Sequence, residues 1–304
     1  MTISVIICTH NPREDYVRRV LQALNAQTLP KEEWELLLID NASKQPLAQN
    51  CDLSWHPHAR HLREEELGLT PARLCGIKES KGALLVFVDD DNVLAADYLS
   101  IAVTMAEEWP MLGAWAGEAI PEFETEPVEA LRPYINMMAS SPGDGKFGMD
   151  LWSNIRGSAA TPSGSGMCIR RQVAEAYFKL DTTDERRRSL DRRGQSLISG
   201  GDTDMAFTAC DLGLGTGFFH KLKLTHLIPS RRVELRYLLS LREGMSFSEI
   251  IVDSFRNPDA GTVSRGRCLI NYLRAWTRRG IQRHFMLASL RGQAAARRVL
   301  KRKS

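Results

Sequence analysis

The sequence predicts an α/β fold organised around a Rossmann-like sheet, and three features carry that expectation. Residues 3–8 (ISVIIC) and 83–88 (ALLVFV) are apolar runs of strand length, which read as strands buried on both faces, and residues 34–39 form a further strand. Between residues 3–8 and 34–39 Tyr16, Val17, Val20, Leu21 and Leu24 recur at helical spacing, which makes a βαβ unit with an expected right-handed crossover. Each strand then ends in polar or acidic residues: Thr9 to Pro12, Asp40 to Ser43, and Asp89 to Asn92. Strand ends of one sheet that collect such residues mark the crevice where open α/β sheets bind ligands.

Further elements follow in order. Residues 60–62 read as a short strand and 71–80 as a helix. A helix from about 97 to 108 is stopped by Pro110, 114–120 is a strand, and 127–138 a short helix. Residues 140–166 form a long Gly-, Ser- and Pro-rich loop carrying Trp152, which is either a sugar-stacking platform or an anchor beneath the loop. Residues 165–170 are a strand running into a helix through Phe178. The charge-dense stretch 181–195 is either a solvated loop or a lid. Residues 200–212 open and form an amphipathic helix, 218–224 a last strand, and 233–241 a helix.

The most pointed chemistry lies at Asp89, Asp90 and Asp91. Three adjacent carboxylates repel unless a cation is present. Mg²⁺ or Mn²⁺ suits oxygen ligands and commonly completes its shell with substrate phosphates. An acidic surface turn is the plain alternative. A second acidic centre, GGDTDM at 200–205, stands at a helix N-terminus, which stabilises carboxylates as anions. Asp202 or Asp204 can act there as a cap, or as a general base. No GxGxxG follows the first strand and no GxxxxGK[ST] occurs anywhere, which removes the main support for dinucleotide and P-loop readings.

Composition is that of a globular chain with ample core, 43% hydrophobic and 25% charged. The net charge of +3 is unevenly spread: twelve Lys or Arg and no acid follow Asp259, leaving −9 on the chain up to that point. The six cysteines are scattered without a CxxC pair, as buried thiols are in a reducing cytosol. No signal peptide precedes the first strand and no apolar run reaches the ~18 residues of a spanning helix.

In their order and spacing SVIICTHNP, LLIDNAS, GLTPARLCGIKESKGALLVFVDDDN, GSGMCIRR, GGDTDM and LTHLIP resemble the family 2 glycosyltransferases of the GT-A fold, over residues 3–241. The resemblance implies a mixed sheet flanked by helices, here with a helical C-terminal extension at 242–304. It implies that Thr9 and Asp40 contact the nucleobase, that Arg73 lies by the nucleotide, and that Asp89 meets the ribose or metal region with Asp90 beside it. Asp91 would be a direct metal ligand, His226 a further one, and Asp202 the catalytic base. Arg231 or Arg232 would neutralise the departing diphosphate, since guanidinium–phosphate contacts are strong; Arg231 is the one assigned. Two departures stand out. Leu74 replaces a frequent Asn, and Gly201 replaces the Glu of the family's usual GEDTD.

The expected activity is therefore inverting, metal-dependent transfer of a sugar from a nucleotide-diphosphate sugar to a saccharide or lipid-linked acceptor, in cell-surface polysaccharide or glycolipid assembly. A nucleotidyltransferase would need a Gly-rich triphosphate loop that CTHNPRED lacks. A degenerate nucleotide-sugar-binding scaffold is the non-enzymatic alternative, and Gly201 favours it. In the basic extension Leu269, Tyr272, Leu273 and Trp276 share a helical face, interleaved with arginines. That pattern reads either as a membrane-surface element on the cytoplasmic face or as a helix packed on the domain with a solvated arginine face. No nucleic-acid recognition motif accompanies the charge.

Overall fold

The computed structural model describes residues 2–139, 147–188, 190–192 and 197–301. It divides into two compact units: Met1–Glu122, Met138–Arg188 and Asp202–Ile228 form the first, and Phe123–Met137, Ser189–Gly201 and Pro229–Ser304 the second.

The first unit holds one nine-stranded sheet. Its strands are β1 (Ile3–Thr9), β2 (Trp34–Asn41), β3 (Ala59–Glu64), β4 (Leu84–Asp89), β5 (Asn92–Leu94), β6 (Leu112–Phe123), β7 (Leu151–Ser153), β8 (Cys168–Arg170) and β9 (Gly215–Ile228). The order is β3-β2-β1-β4-β8-β6-β9-β5, with β7 alongside β9. The first four neighbours are parallel, whereas β8 runs antiparallel to β4 and β5 antiparallel to β9. The sheet is therefore mixed, as the resemblance implied. Gly82, just before β4, lets the chain pass the backbone of β1: a Cβ there would lie 2.5 Å from the Ile3 carbonyl carbon and the Ser4 nitrogen.

Alternation along β1 shows why these runs are apolar throughout. Ile3, Val5 and Ile7 enter one core with α1 (Glu14–Asn25) and Tyr98, Leu99 and Ala102 of α3 (Tyr98–Glu108). Ile6 enters the other core, with Ala72 and Ile77 of α2 (Leu69–Glu79), Val173 and Tyr177 of α4 (Arg171–Thr183), and Met205 and Ala209 of α6 (Gly201–Asp211). A strand with helices on both faces has no solvent side to be polar toward. Each fully buried Ile, Val or Leu contributes roughly 1.5–3 kcal/mol, so the sheet is a stiff platform for its strand ends.

Three elements differ from the sequence reading. β5 is a three-residue strand too short for periodicity to reveal. β9 extends to Ile228, four residues beyond the expected end, and so carries His226 inside a strand. The stretch expected to be a charged loop contains the end of α4 and a short helix, α5 (Glu185–Arg188), while residues 189 and 193–195 of it lie outside the described residues. Residues 140–146 of the expected Gly-rich loop lie outside them as well.

In the second unit α7 (Leu235–Ser254) packs along α9 (Gly280–Lys301). Gly292 makes that approach close, because a Cβ there would collide with the Glu243 carbonyl oxygen. Ser246 and Ser289 share a 2.8 Å hydrogen bond across the pair, and Phe285 stacks on Tyr134 at 3.6 Å. The expected domain boundary after Leu241 falls within α7. The remaining helix, α8 (Arg265–Thr277), buries Ala275 but leaves Leu269, Leu273 and Trp276 exposed. No described helix is long and apolar enough to cross a membrane.

Candidate active site

Strand register assembles most of the site. Thr9 stands opposite Asp40 across β1 and β2, and Cys8 opposite Asp89 across β1 and β4. Three parallel strands thus deliver their carboxyl ends side by side. Thr9 donates its hydroxyl to Asp90, which ties the turn after β4 to the end of β1.

Asp91 turns away from this row toward β9. Its carbonyl accepts the Leu227 N–H at 2.8 Å, and the next residue, Asn92, pairs with His226 in the β5–β9 ladder. Asp91 Oδ2 lies 3.6 Å from His226 Nε2, both side chains being buried. His226 Nδ1 lies 2.9 Å from the Met138 carbonyl oxygen. A carbonyl only accepts, so Nδ1 carries a hydrogen and Nε2 is the ring nitrogen turned toward Asp91, which is the nitrogen a metal would take. Adjacent ligand atoms on an octahedral Mg²⁺ stand about 3 Å apart, given bonds of about 2.1 Å, so the pair fits such a cation with a small adjustment. No group of three His, Cys, Asp or Glu suited to a metal occurs among the described residues. A cation here would take its other ligands from water and substrate.

Asp202 occupies the first turn of α6, and the Gly164 N–H donates to its Oδ2 at 2.9 Å. Gly164 shortly precedes β8, whose antiparallel pairing to β4 places the chain before it at the carboxyl end of β4; Met167 O accepts the Phe87 N–H at 2.9 Å there. The base candidate therefore reaches the same rim as the aspartate triplet from a distant part of the chain. A Cβ on Gly164 would stand 2.9 Å from Asp202 Oδ2 and 3.0 Å from Nη2 of the buried Arg73. Only a glycine lets a carboxylate and a guanidinium close in on that point together. Arg73 also lies 5.9 Å over the Phe87 ring. The other candidate cap, Asp204, is fully buried against Arg187 of α5 and serves structure.

Asp40 is more deeply committed than its expected role suggests. Ser43 N–H reaches Oδ1 at 3.0 Å, and Leu47 N–H and Arg63 Nη1 reach Oδ2 at 3.2 and 2.8 Å. Burial alone would push its carboxyl up, but the Ser43 hydroxyl, the two N–H groups and the Arg63 charge outweigh it and hold the group below its ordinary value.

Thr9, Asp40, Arg73, Asp89, Asp90, Asp91, Asp202 and His226 thus come to one rim of the first unit. Arg231 belongs to the second unit, in the turn Ser230–Val233. Trp152 is 58% exposed and is no buried anchor. It pairs with Gly217, nine residues before His226 on β9, which is about 30 Å of extended chain at ~3.3 Å per residue. The sequence reading missed Gly164 and Arg63, whose roles depend on partners 38 and 23 residues away. It also missed what replaces the family's Glu at 201. A side chain on Gly201 would collide with the carboxylate of Asp191, which accepts the Gly201 N–H at 3.2 Å, so an acidic group from the charged segment fills that space.

The chain is 34% identical over 92 residues to the glycosyltransferase AglE of Haloferax volcanii, covering 29% of this chain and 30% of that protein. It is 27% identical over 113 residues to the poly(ribitol-phosphate) beta-N-acetylglucosaminyltransferase TarS of Staphylococcus aureus, covering 36% of this chain and 19% of that protein. These matches span under a third of each relative's length. Crystal structures of S. aureus TarS 1-349 share the fold: the complex with UDP has a TM-score of 0.54 at 13% identity, covering 100% of this chain and 92% of that one. The complex with UDP-GlcNAc gives 0.55 at 12% identity, covering 100% and 93%. Residues 4–178, more than half of the chain, match the family described as Glycosyl transferase family 2, and the chain belongs to that family.

Proposed function

We propose that the protein is an inverting, divalent-metal-dependent glycosyltransferase that moves a sugar from a nucleotide-diphosphate sugar to an acceptor hydroxyl in polysaccharide or glycolipid assembly. The observation that carries this reading is the convergence of Asp202 and the Asp91–His226 pair on one rim. The TarS complexes with UDP and UDP-GlcNAc support a donor of this class. Asp91 and His226 would hold Mg²⁺ or Mn²⁺, which supplies charge to neutralise the donor diphosphate. Asp202, kept in place by the Gly164 N–H, takes the proton from the acceptor hydroxyl. The freed oxygen attacks the anomeric carbon opposite the departing diphosphate, and that single displacement inverts the centre. Arg73, buried beside the same glycine, adds positive charge where negative charge develops.

Asp202→Asn keeps the side chain's size and removes its basicity. The expected result is loss of nucleoside diphosphate release by at least about 10²-fold, general-base contributions being of that order, with donor binding retained. Unchanged turnover in a folded Asp202→Asn protein would dismiss the assigned base. Chelation of divalent ions should weaken donor binding, which isothermal titration with and without EDTA measures. A donor-binding scaffold is the competing reading; binding without transfer or donor hydrolysis, at any acceptor tried, would favour it.

The C-terminal helices support action at a membrane surface. Leu269, Leu273 and Trp276 of α8 are 61%, 56% and 65% exposed, Arg267, Arg274, Arg278 and Arg279 are exposed as well, and Arg283 lies 4.1 Å over the Trp276 ring. An apolar face with basic flanks suits the headgroup boundary of an anionic bilayer, each Lys or Arg there adding about 1 kcal/mol. Co-sedimentation with phosphatidylglycerol vesicles, lost in Leu273→Glu/Trp276→Glu and absent with phosphatidylcholine, is expected. Equal binding to both lipids would exclude the electrostatic part of the reading.

A further inference from the structure

We propose that the second unit carries a binding site for an anionic single-chain lipid, in a cleft bounded by α7, α9 and the segment Glu129–Met137. The site is separate from the donor, metal and base residues assigned above and does not depend on them. The cleft measures about 510 Å³, within the usual range of small-molecule sites. Every residue that lines it belongs to the second unit. That volume matches one chain and its head rather than the paired chains of a bilayer phospholipid.

The lining selects a flexible apolar chain. Tyr134 and Phe285, stacked at 3.6 Å with their planes 2° apart, make a flat aromatic wall. Met137, Met245 and Met286 supply the rest of the apolar lining, one from each of the three bounding elements. All three are half-buried, so they border the cleft instead of filling a core. Methionine is unbranched and polarizable, and it repacks around apolar partners of varied shape. A small polar metabolite would find little here to bond.

The head is selected by Arg242, the charged side chain among the described residues that line the cleft. Its Nη2 donates to Ser289 Oγ at 3.3 Å, and that hydroxyl is itself tied to Ser246 at 2.8 Å, so the guanidinium is steadied from α9. Its Nη1 lies 3.7 Å from Glu249 Oε1. The Glu249 side chain is 56% exposed, and an ion pair so long and so open contributes little, so an incoming anion displaces it at small cost. Glu243, next to Arg242 in the chain, is engaged by Arg291 at 2.8 Å. A guanidinium bonds phosphate or carboxylate through two parallel N–H groups, whereas an alcohol gains no charge contact from it. An apolar cleft with one cation at its wall thus fits a chain that ends in an anion.

The test titrates octyl, nonyl and decyl phosphate, below their aggregation concentrations, beside octanol as the neutral counterpart. Titrations are run on the full chain and on Arg242→Gln, Met245→Trp and Met286→Trp, with thermal unfolding as the fold control. Affinity should rise about fourfold with each added methylene, the worth of one buried CH₂, and octyl phosphate should bind about tenfold or more tighter than octanol. Arg242→Gln should bring the two heads together while the methylene increment stays. Either tryptophan fills the cleft and should abolish binding of all four probes. Leu273→Glu/Trp276→Glu should bind them as wild type does, and Met245→Trp should still sediment with phosphatidylglycerol vesicles. Wild-type affinity in the folded tryptophan variants, or equal affinity for octanol and octyl phosphate, overturns the proposal. So does loss of probe binding in the α8 variant, which would move the site to α8, or loss of vesicle binding in Met245→Trp, which would make the occupant a bilayer lipid. Donor binding and the Asp202→Asn measurement are read separately, so none of these failures touches the glycosyltransferase reading.

Discussion

Gly164 offers the most direct test of the site, because a single methyl group can disturb it without removing any functional group. In Gly164→Ala the new carbon would lie 2.9 Å from Asp202 Oδ2 and 3.0 Å from Arg73 Nη2. Contact with carbon is comfortable near 3.5 Å, so carboxylate and guanidinium must each yield by about half an ångström, and in opposite directions. Misplacement of about 1 Å costs on the order of 10²-fold in rate, so a fall of roughly 10- to 100-fold in turnover is expected, or ~1.4–2.8 kcal/mol in the barrier. Gly164 is not in the left-handed region, so alanine meets no backbone strain and the melting temperature should stay within a few degrees of wild type. The assay is nucleoside diphosphate release at saturating donor, beside a donor titration that should be unaffected. Wild-type turnover in the folded variant would mean that Asp202 and Arg73 do not work together at this point.

Three further outcomes follow from the packing. Arg187→Met removes the guanidinium that faces the fully buried Asp204, and breaking such a pair costs about 3–5 kcal/mol in denaturant unfolding; a loss under 1 kcal/mol would show that Asp204 is supported elsewhere. Asp181 is buried, which pushes its carboxyl up to about 6 from an ordinary 3.8, against the opposing pull of Arg188. The folded state therefore binds this proton more tightly than the unfolded chain, so its contribution is full below pH 3.8 and is lost as pH rises through about 6. Asp181→Asn should raise the melting temperature at pH 8 more than at pH 4, and an equal change at both would contradict the burial effect. A Cβ on Gly117 in β6 would collide with the Leu222 backbone oxygen in β9, so Gly117→Ala should cost more than about 3 kcal/mol or prevent folding, checked by expression and circular dichroism.

The parts of the site that were legible in the sequence are those written into consecutive residues. Buried strands announce themselves by apolar runs because both faces are covered, and their ends by the change to Thr9, Asp40 and Asp89. The order of the strands then sufficed to bring those three together. Asp202 was readable as an acid at a helix start, but the choice between cap and base turned on the resemblance, since both uses need the same residue at the same place. The tertiary structure answered a different question by giving Asp204 to Arg187 and Asp202 to Gly164.

The sequence by itself determined the α/β class, the parallel βαβ opening and the row of polar strand ends, because each follows from residues adjacent in the chain and from the two-residue period of a strand. Only the tertiary structure decided that His226 faces Asp91 from within β9, that Asp40 is bonded to its own turn and to Arg63, and that Trp152 stands far along the strand from the metal candidates. It also packed α9 on α7 and left Leu269, Leu273 and Trp276 of α8 exposed. Periodicity records which side of a helix or strand is apolar. Which partner covers that side, and how many donors crowd one carboxylate, depend on contacts between residues far apart in the chain.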